Sequence, residues 1–129
     1  WCVLGRTGAS AEIIAFRDLG LDPGREYLVY EFWTNKFLGA FRGDFSPGPV
    51  DPVSGCQALC IRERLPHPQV LATHRHVSCG GVDLLAAGWK DNALRGRSRV
   101  VGGDPYVLAI TEPEGFHLTA FDGGVASTV

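Results

Sequence analysis

The sequence predicts an all-β protein, an antiparallel β-sandwich of about eight to ten short strands. Two observations carry that reading. Short apolar runs recur at roughly ten-residue spacing, each bounded by Gly, Pro, Asn or Asp in turn-forming combinations. None of them repeats its apolar residues with the period of about 3.6 that an amphipathic helix needs.

In chain order, Trp1 to Leu4 and Ala11 to Phe16 are apolar runs separated by Gly5-Arg6-Thr7-Gly8, a composition that predicts a hairpin turn. Asp18 to Gly24 is a connection, with turn chemistry at Asp22-Pro23-Gly24. Glu26 to Trp33 reads EYLVYEFW, where aromatic and β-branched residues dominate and the run is too short for a helix. Thr34-Asn35 turns it into Lys36 to Arg42, which makes the clearest hairpin of the first half. Asp44 to Gly55 holds three prolines and two glycines in twelve residues and reads as an ordered loop or a crossing between sheets.

Cys56 to Leu84 is the stretch around which the rest is organised. In CQALCIRER, Leu59 and Ile61 point to one face while Ala58 and Cys60 point to the other, so the strand lies inside a sheet with both faces covered. Leu65-Pro66-His67-Pro68 removes backbone donors and forces a turn, after which Gln69 to Val77 returns across the first strand. Gly80-Gly81 ends that strand, and Val82 to Lys90, a turn at Asp91-Asn92 and Ala93 to Val101 follow. In the last of these Leu94, Gly96, Ser98 and Val100 alternate with Arg95, Arg97 and Arg99, giving a core face and a row of guanidinium groups. Tyr106 to Thr111 and Phe116 to Phe121 are expected to form a final pair. The sandwich then spans 1–121, with 122–129 a flexible tail.

The length of 129 residues suits one domain, and such a chain buries roughly two-thirds of its unfolded surface. A net charge of -2 argues against nucleic-acid and membrane-surface partners, which select a concentrated positive field. No apolar run approaches the roughly 20 residues that span a bilayer, and no signal segment opens the chain. A sequence without methionine that starts at Trp1 within a strand-like run reads as a piece of a longer one. Compartment and oligomeric state leave no mark in it. The positive charge is ten arginines and two lysines, a bias read as compositional. The four cysteines are too sparse for a disulfide scaffold, and Cys56 and Cys60 would lie about 13 Å apart along a strand rising roughly 3.3 Å per residue. Buried free thiols are expected.

With these elements placed, three blocks carry a family resemblance: LGLDPGREYLVYEFWTNKFLG, CQALCIRERLPHPQVLATHRHVSCGGVDL and LRGRSRVVGGDPYVLAITEPEGF. In order and spacing they resemble the C-terminal β-sandwich domain that follows the catalytic (β/α)-barrel in melibiase-like glycoside hydrolases, the α-galactosidase clan. The similarity runs from Leu19 to Phe116 and departs at GRTGASAE, where such domains often carry an Asn- or Trp-containing loop. The resemblance implies an accessory role, with a catalytic barrel domain of the same parent chain as partner. It also implies that the two hydrolytic carboxylates belong to that barrel, so no catalytic residue and no cofactor is expected here.

The remaining candidates come from residue chemistry. Trp33, Phe41, Trp89 and Tyr106 could offer flat faces to a pyranose ring, Trp33 and Trp89 foremost because each ends a strand beside a turn; the competing reading places them in the core or against the barrel. This supports an autonomous carbohydrate-binding module as the second functional reading. Arg95, Arg97 and Arg99 suit an interdomain contact or an anion, against a solvated face paired across the sheet to Asp or Glu. His74, His76 and Cys79 could supply three zinc ligands without an evident fourth, against a histidine pair that bonds its neighbours. A Cys79/His76 nucleophile pair lacks an orienting carboxylate. Asp83 and Asp91 read as turn and surface residues.

Overall fold

The computed structural model describes residues 2–5, 13–50, 52–53 and 55–123, the first of these stretches by its backbone. Its strands are β1 (Cys2–Gly5), β2 (Ile14–Ala15), β3 (Glu26–Glu31), β4 (Lys36–Arg42), β5 (Asp44–Phe45), β6 (Cys56–Glu63), β7 (Gln69–Thr73), β8 (Leu84–Lys90), β9 (Ala93–Ser98) and β10 (Leu108–Thr111). One 3-10 turn, Phe16–Leu19, follows β2. The main sheet has the order β1-β6-β3-β4, and β10–β7, β8–β9 and β2–β5 form two-stranded pairs. Every pairing is antiparallel, so the chain is the all-β sandwich its turn spacing predicts. Among the described residues no helix is long and apolar enough to cross a membrane.

The main sheet is covered on both faces, which explains its composition. Leu28 and Tyr30 of β3, with Ala58 and Cys60 of β6, pack under Leu71 and Ala72 of β7. Tyr27 and Val29, with Leu59, pack on the other face against Phe16 and Phe45. The Phe16 ring lies 4.7 Å from Tyr27 and 5.4 Å from Phe45, centroid to centroid. Burying each such side chain contributes about 1.5–3 kcal/mol. A strand with apolar residues at every position is therefore stable only in the middle layer, where alternation would waste a face.

Hairpin geometry follows the turn residues. Asn35 at φ 53° closes β3–β4, and Asp91 and Asn92 at φ 51° and 56° close β8–β9, the pair of positive angles that a type I′ turn requires. The proline-rich segment after β5 is held to β6 by Gln57, whose Nε2 donates to the carbonyls of Pro47 at 3.2 Å and Pro49 at 3.3 Å.

Three expectations give way. The run at the amino terminus does not form a hairpin with Ala11 to Phe16, because β1 pairs with β6 and β2 with β5; the turn expected between them lies in 6–12, outside the described residues. The returning strand stops at Thr73 and pairs with β10 instead of β6, so it crosses into the second layer. Residues 116–121 form no strand, and β10 pairs with β7 instead. Of the tail, 124–129 lies outside the described residues.

Candidate functional site

Two exposed features stand out, and each is built by a hairpin. The first is the tip of β3–β4. Trp33 follows directly on the apolar run of β3 and is 48% exposed, against a half-buried Trp89 and Tyr106. Its indole stands at 77° to the Phe32 ring, 5.1 Å away, and Phe32 in turn stacks on the His74 imidazole at 5.0 Å and 17°. Beneath it the Glu31 carboxylate accepts from the Trp33 amide at 3.2 Å and from the Thr34 amide and hydroxyl, each at 2.6 Å. The indole is thus presented on a turn locked from below.

The second feature is the outer face of β8–β9. Register places Arg97 opposite Ala86 and Arg95 opposite Gly88, so two guanidinium groups lie over a floor of small side chains. The acidic cross-strand partners expected for these arginines are not there, because the facing strand offers only Ala and Gly. Arg95 Nη1 donates to the Lys90 carbonyl at 3.4 Å, and among the described residues no carboxylate lies in ion-pair range of Arg95, Arg97 or Arg99. Arg99 lies beyond the end of β9, where its amide donates to the Asp83 carbonyl at 2.7 Å. Leu85, Val100 and Val101, in and beside this hairpin, are exposed apolar residues.

The other predicted site residues are engaged elsewhere. Trp89 lies parallel to the His67 ring at 5.8 Å and edge-on to Phe116 at 5.4 Å. Phe41 packs in the second core cluster. The Tyr106 hydroxyl donates to Asp83 Oδ2 at 2.9 Å and pairs with Ser98 Oγ at 2.8 Å. Asp83 is accordingly no surface residue: it is 3% exposed, and the hydroxyl that holds it comes from Tyr106, just before β10, which the sequence pattern could not connect to it. Burial is the main reason the Tyr106 pKa rises, with the bond to Asp83 adding to it.

His74, His76 and Cys79 are not brought together. The strand ends before them, His74 stacks on Phe32, the His76 Nδ1 bonds Ser78 at 3.0 Å, and the Cys79 thiol is buried in the first core cluster. Among the described residues no group of three or more His, Cys, Asp or Glu could hold a metal ion.

Sequence reasoning missed Glu31 and the contact between Cys60 and Cys79. For Glu31 a signal was present: an acid between Tyr30 and Phe32 in a strand otherwise apolar after Glu26, three residues before a turn Thr. For the thiols there was none. No family model, no curated protein and no solved structure matches this chain.

Proposed function

We propose that this chain is a non-catalytic accessory β-sandwich of a glycoside hydrolase resembling the α-galactosidases, packing on a catalytic (β/α)-barrel of the same parent protein. The observation that carries the reading is the outer face of β8–β9, where Arg95 and Arg97 lie exposed beside Ala86 and Gly88 with no acidic partner among the described residues. A face of small residues and exposed guanidinium groups, beside exposed Leu85, Val100 and Val101, has the mixed polarity of an interface within a multidomain chain, which covers about 600–1,500 Å². The block resemblance from Leu19 to Phe116 supports the identity of the neighbour.

Hydrogen exchange tests it. In a longer chain that includes a barrel, the β8–β9 amides should exchange at least tenfold more slowly than in the 129-residue chain. Equal exchange in both, or a coding sequence upstream of Trp1 without βα alternation, removes the reading.

Trp33 supports the second reading, a carbohydrate-binding module, because a half-exposed indole on a locked turn suits the C–H face of a pyranose. Titration with galactose and raffinose checks it: millimolar binding lost in a folded Trp33→Ala variant would carry that reading, and silence across the panel removes it.

A further inference from the structure

The two most buried thiols of the described residues come from different layers of the fold. Cys60 lies on β6 in the main sheet and Cys79 on the turn after β7, and both are free, at 4% and 0% exposed. They share the first core cluster, where the Cys79 thiol donates to the Val77 carbonyl at 3.5 Å. Arg62 fixes the arrangement: its Nε donates to the Leu71 carbonyl at 2.6 Å, its Nη2 donates to the Cys79 carbonyl at 3.2 Å, and the Cys60 thiol donates to that same Leu71 carbonyl at 3.3 Å. Backbone geometry supplies a further observation. Cys79 holds φ 51° and Gly80 φ 107°, so a β-carbon-bearing residue occupies the left-handed region inside a tight turn.

We propose that Cys60 and Cys79 form a redox-active dithiol that a peroxide or a small-molecule disulfide oxidises to an intramolecular disulfide, joining the main sheet to the β7–β8 turn. With a peroxide, the Cys60 thiolate attacks one oxygen of the O–O bond, giving a Cys60 sulfenic acid and releasing hydroxide. The Cys79 sulfur then displaces water from that sulfenic acid as the S–S bond forms. The pair loses two electrons and two protons, and the peroxide is reduced to two waters. Cys60 is suited to the first step, since the neighbouring Cys79 thiol and the Arg62 guanidinium outweigh burial and bring its pKa down to about 6, while the Cys60 thiol and burial push Cys79 up. The order of attack follows: Cys60 first, Cys79 resolving. Access requires opening of the 74–83 turn, which is held within itself by Cys79 N to His76 O at 2.8 Å and Gly81 N to Ser78 O at 3.1 Å, and from outside by Arg62 Nη2 to Cys79 O at 3.2 Å and His74 N to Val107 O at 3.1 Å.

The test is peptide mapping of the folded chain after treatment with hydrogen peroxide, alkylation and trypsin. The expected product joins peptide 43–62 to peptide 76–90, disappears on reduction, and forms equally in Cys56→Ser, which removes the other cysteine of 43–62. Cys60→Ser and Cys79→Ser, checked for native circular dichroism, should give none of it; fragmentation of the wild-type product locates the bond even if those variants fail to fold. Oxidised wild type should melt about 5 °C or more above the reduced protein, because the bond constrains the unfolded chain. A link through Cys56, a link between two chains, or Cys60 oxidised further while Cys79 still alkylates would each overturn the proposal.

Discussion

The Glu31 carboxylate, at the end of β3, accepts the backbone amide of Ala58 on β6 at 3.2 Å while also holding the Trp33 and Thr34 amides. One side chain, 2% exposed, therefore ties the turn that carries Trp33 to the neighbouring strand. Glu31→Ala leaves the buried Ala58 amide and the part-buried Trp33 and Thr34 amides without this acceptor and should cost about 2–4 kcal/mol in chemical denaturation. Glu31→Gln keeps one acceptor but aims an NH₂ group at donors, and should cost about 1.5–3 kcal/mol. Losses under about 1 kcal/mol for both variants would mean that water replaces the carboxylate at little cost.

Alkaline stability should depend on Tyr30. Burial first, then the Cys79, Glu31 and Cys60 side chains, push its phenol from 10.0 up to about 12. The folded chain thus holds that proton more tightly than the unfolded one, so the associated stability is complete below pH 10 and is lost as pH rises towards 12. The full effect is about 2–3 kcal/mol. Denaturation midpoints from about pH 9 to about pH 11.5 should fall less steeply in Tyr30→Phe than in wild type, and equal slopes would assign the alkaline loss to other groups.

Gly80 should tolerate no side chain. At φ 107°, an added β-carbon would come within 3.3 Å of Thr73 Cγ2, 3.4 Å of Leu84 Cβ and 3.5 Å of Arg62 Nη2. Gly80→Ala should lose about 2–3 kcal/mol in urea, through backbone strain with crowding added. Gly102→Ala, where nothing lies within 4 Å, is the control and should change little.

Two arginines should behave in opposite ways. Arg25 pairs with Glu63 at 2.6 Å, yet both side chains are about half exposed, so Arg25→Ala should leave the denaturation midpoint nearly unchanged, with any small loss vanishing in high salt. Arg62 reaches two carbonyls between the layers, and Arg62→Ala should cost about 2–4 kcal/mol, largely independent of salt. A salt-sensitive loss at Arg62 would place it at the surface instead.

Strand existence was readable where a run had apolar residues on both faces, as in β6, or where two turn residues demanded positive φ, as at Asp91-Asn92. Strand partners were not. The pattern of β7 is equally compatible with pairing to β6 or to β10, because alternation reports a face and says nothing about the neighbour. The same limit hid the contacts between side chains. An aspartate after a Gly-Gly pair reads as surface until Tyr106 is known to reach it, and Cys60 meets Cys79 only because the two layers stack face to face. Trp33 was legible, since a large aromatic beside a turn is the usual place for partial exposure.

The middle position of β3 also sets what the chain shows as it leaves the ribosome. β3 and β4 can close as soon as Arg42 has emerged, but the other edge of β3 stays unpaired until β6 follows, ending at Glu63. The face with Leu28 and Tyr30 stays wet longer, until Leu71, Ala72 and Cys79 arrive. Until β6 has emerged the nascent chain displays YLVY as an open, apolar strand edge prone to pair with another chain. Synthesis rate and chaperone cover over residues 26–79 should therefore govern soluble yield more than any change to the exposed β8–β9 hairpin.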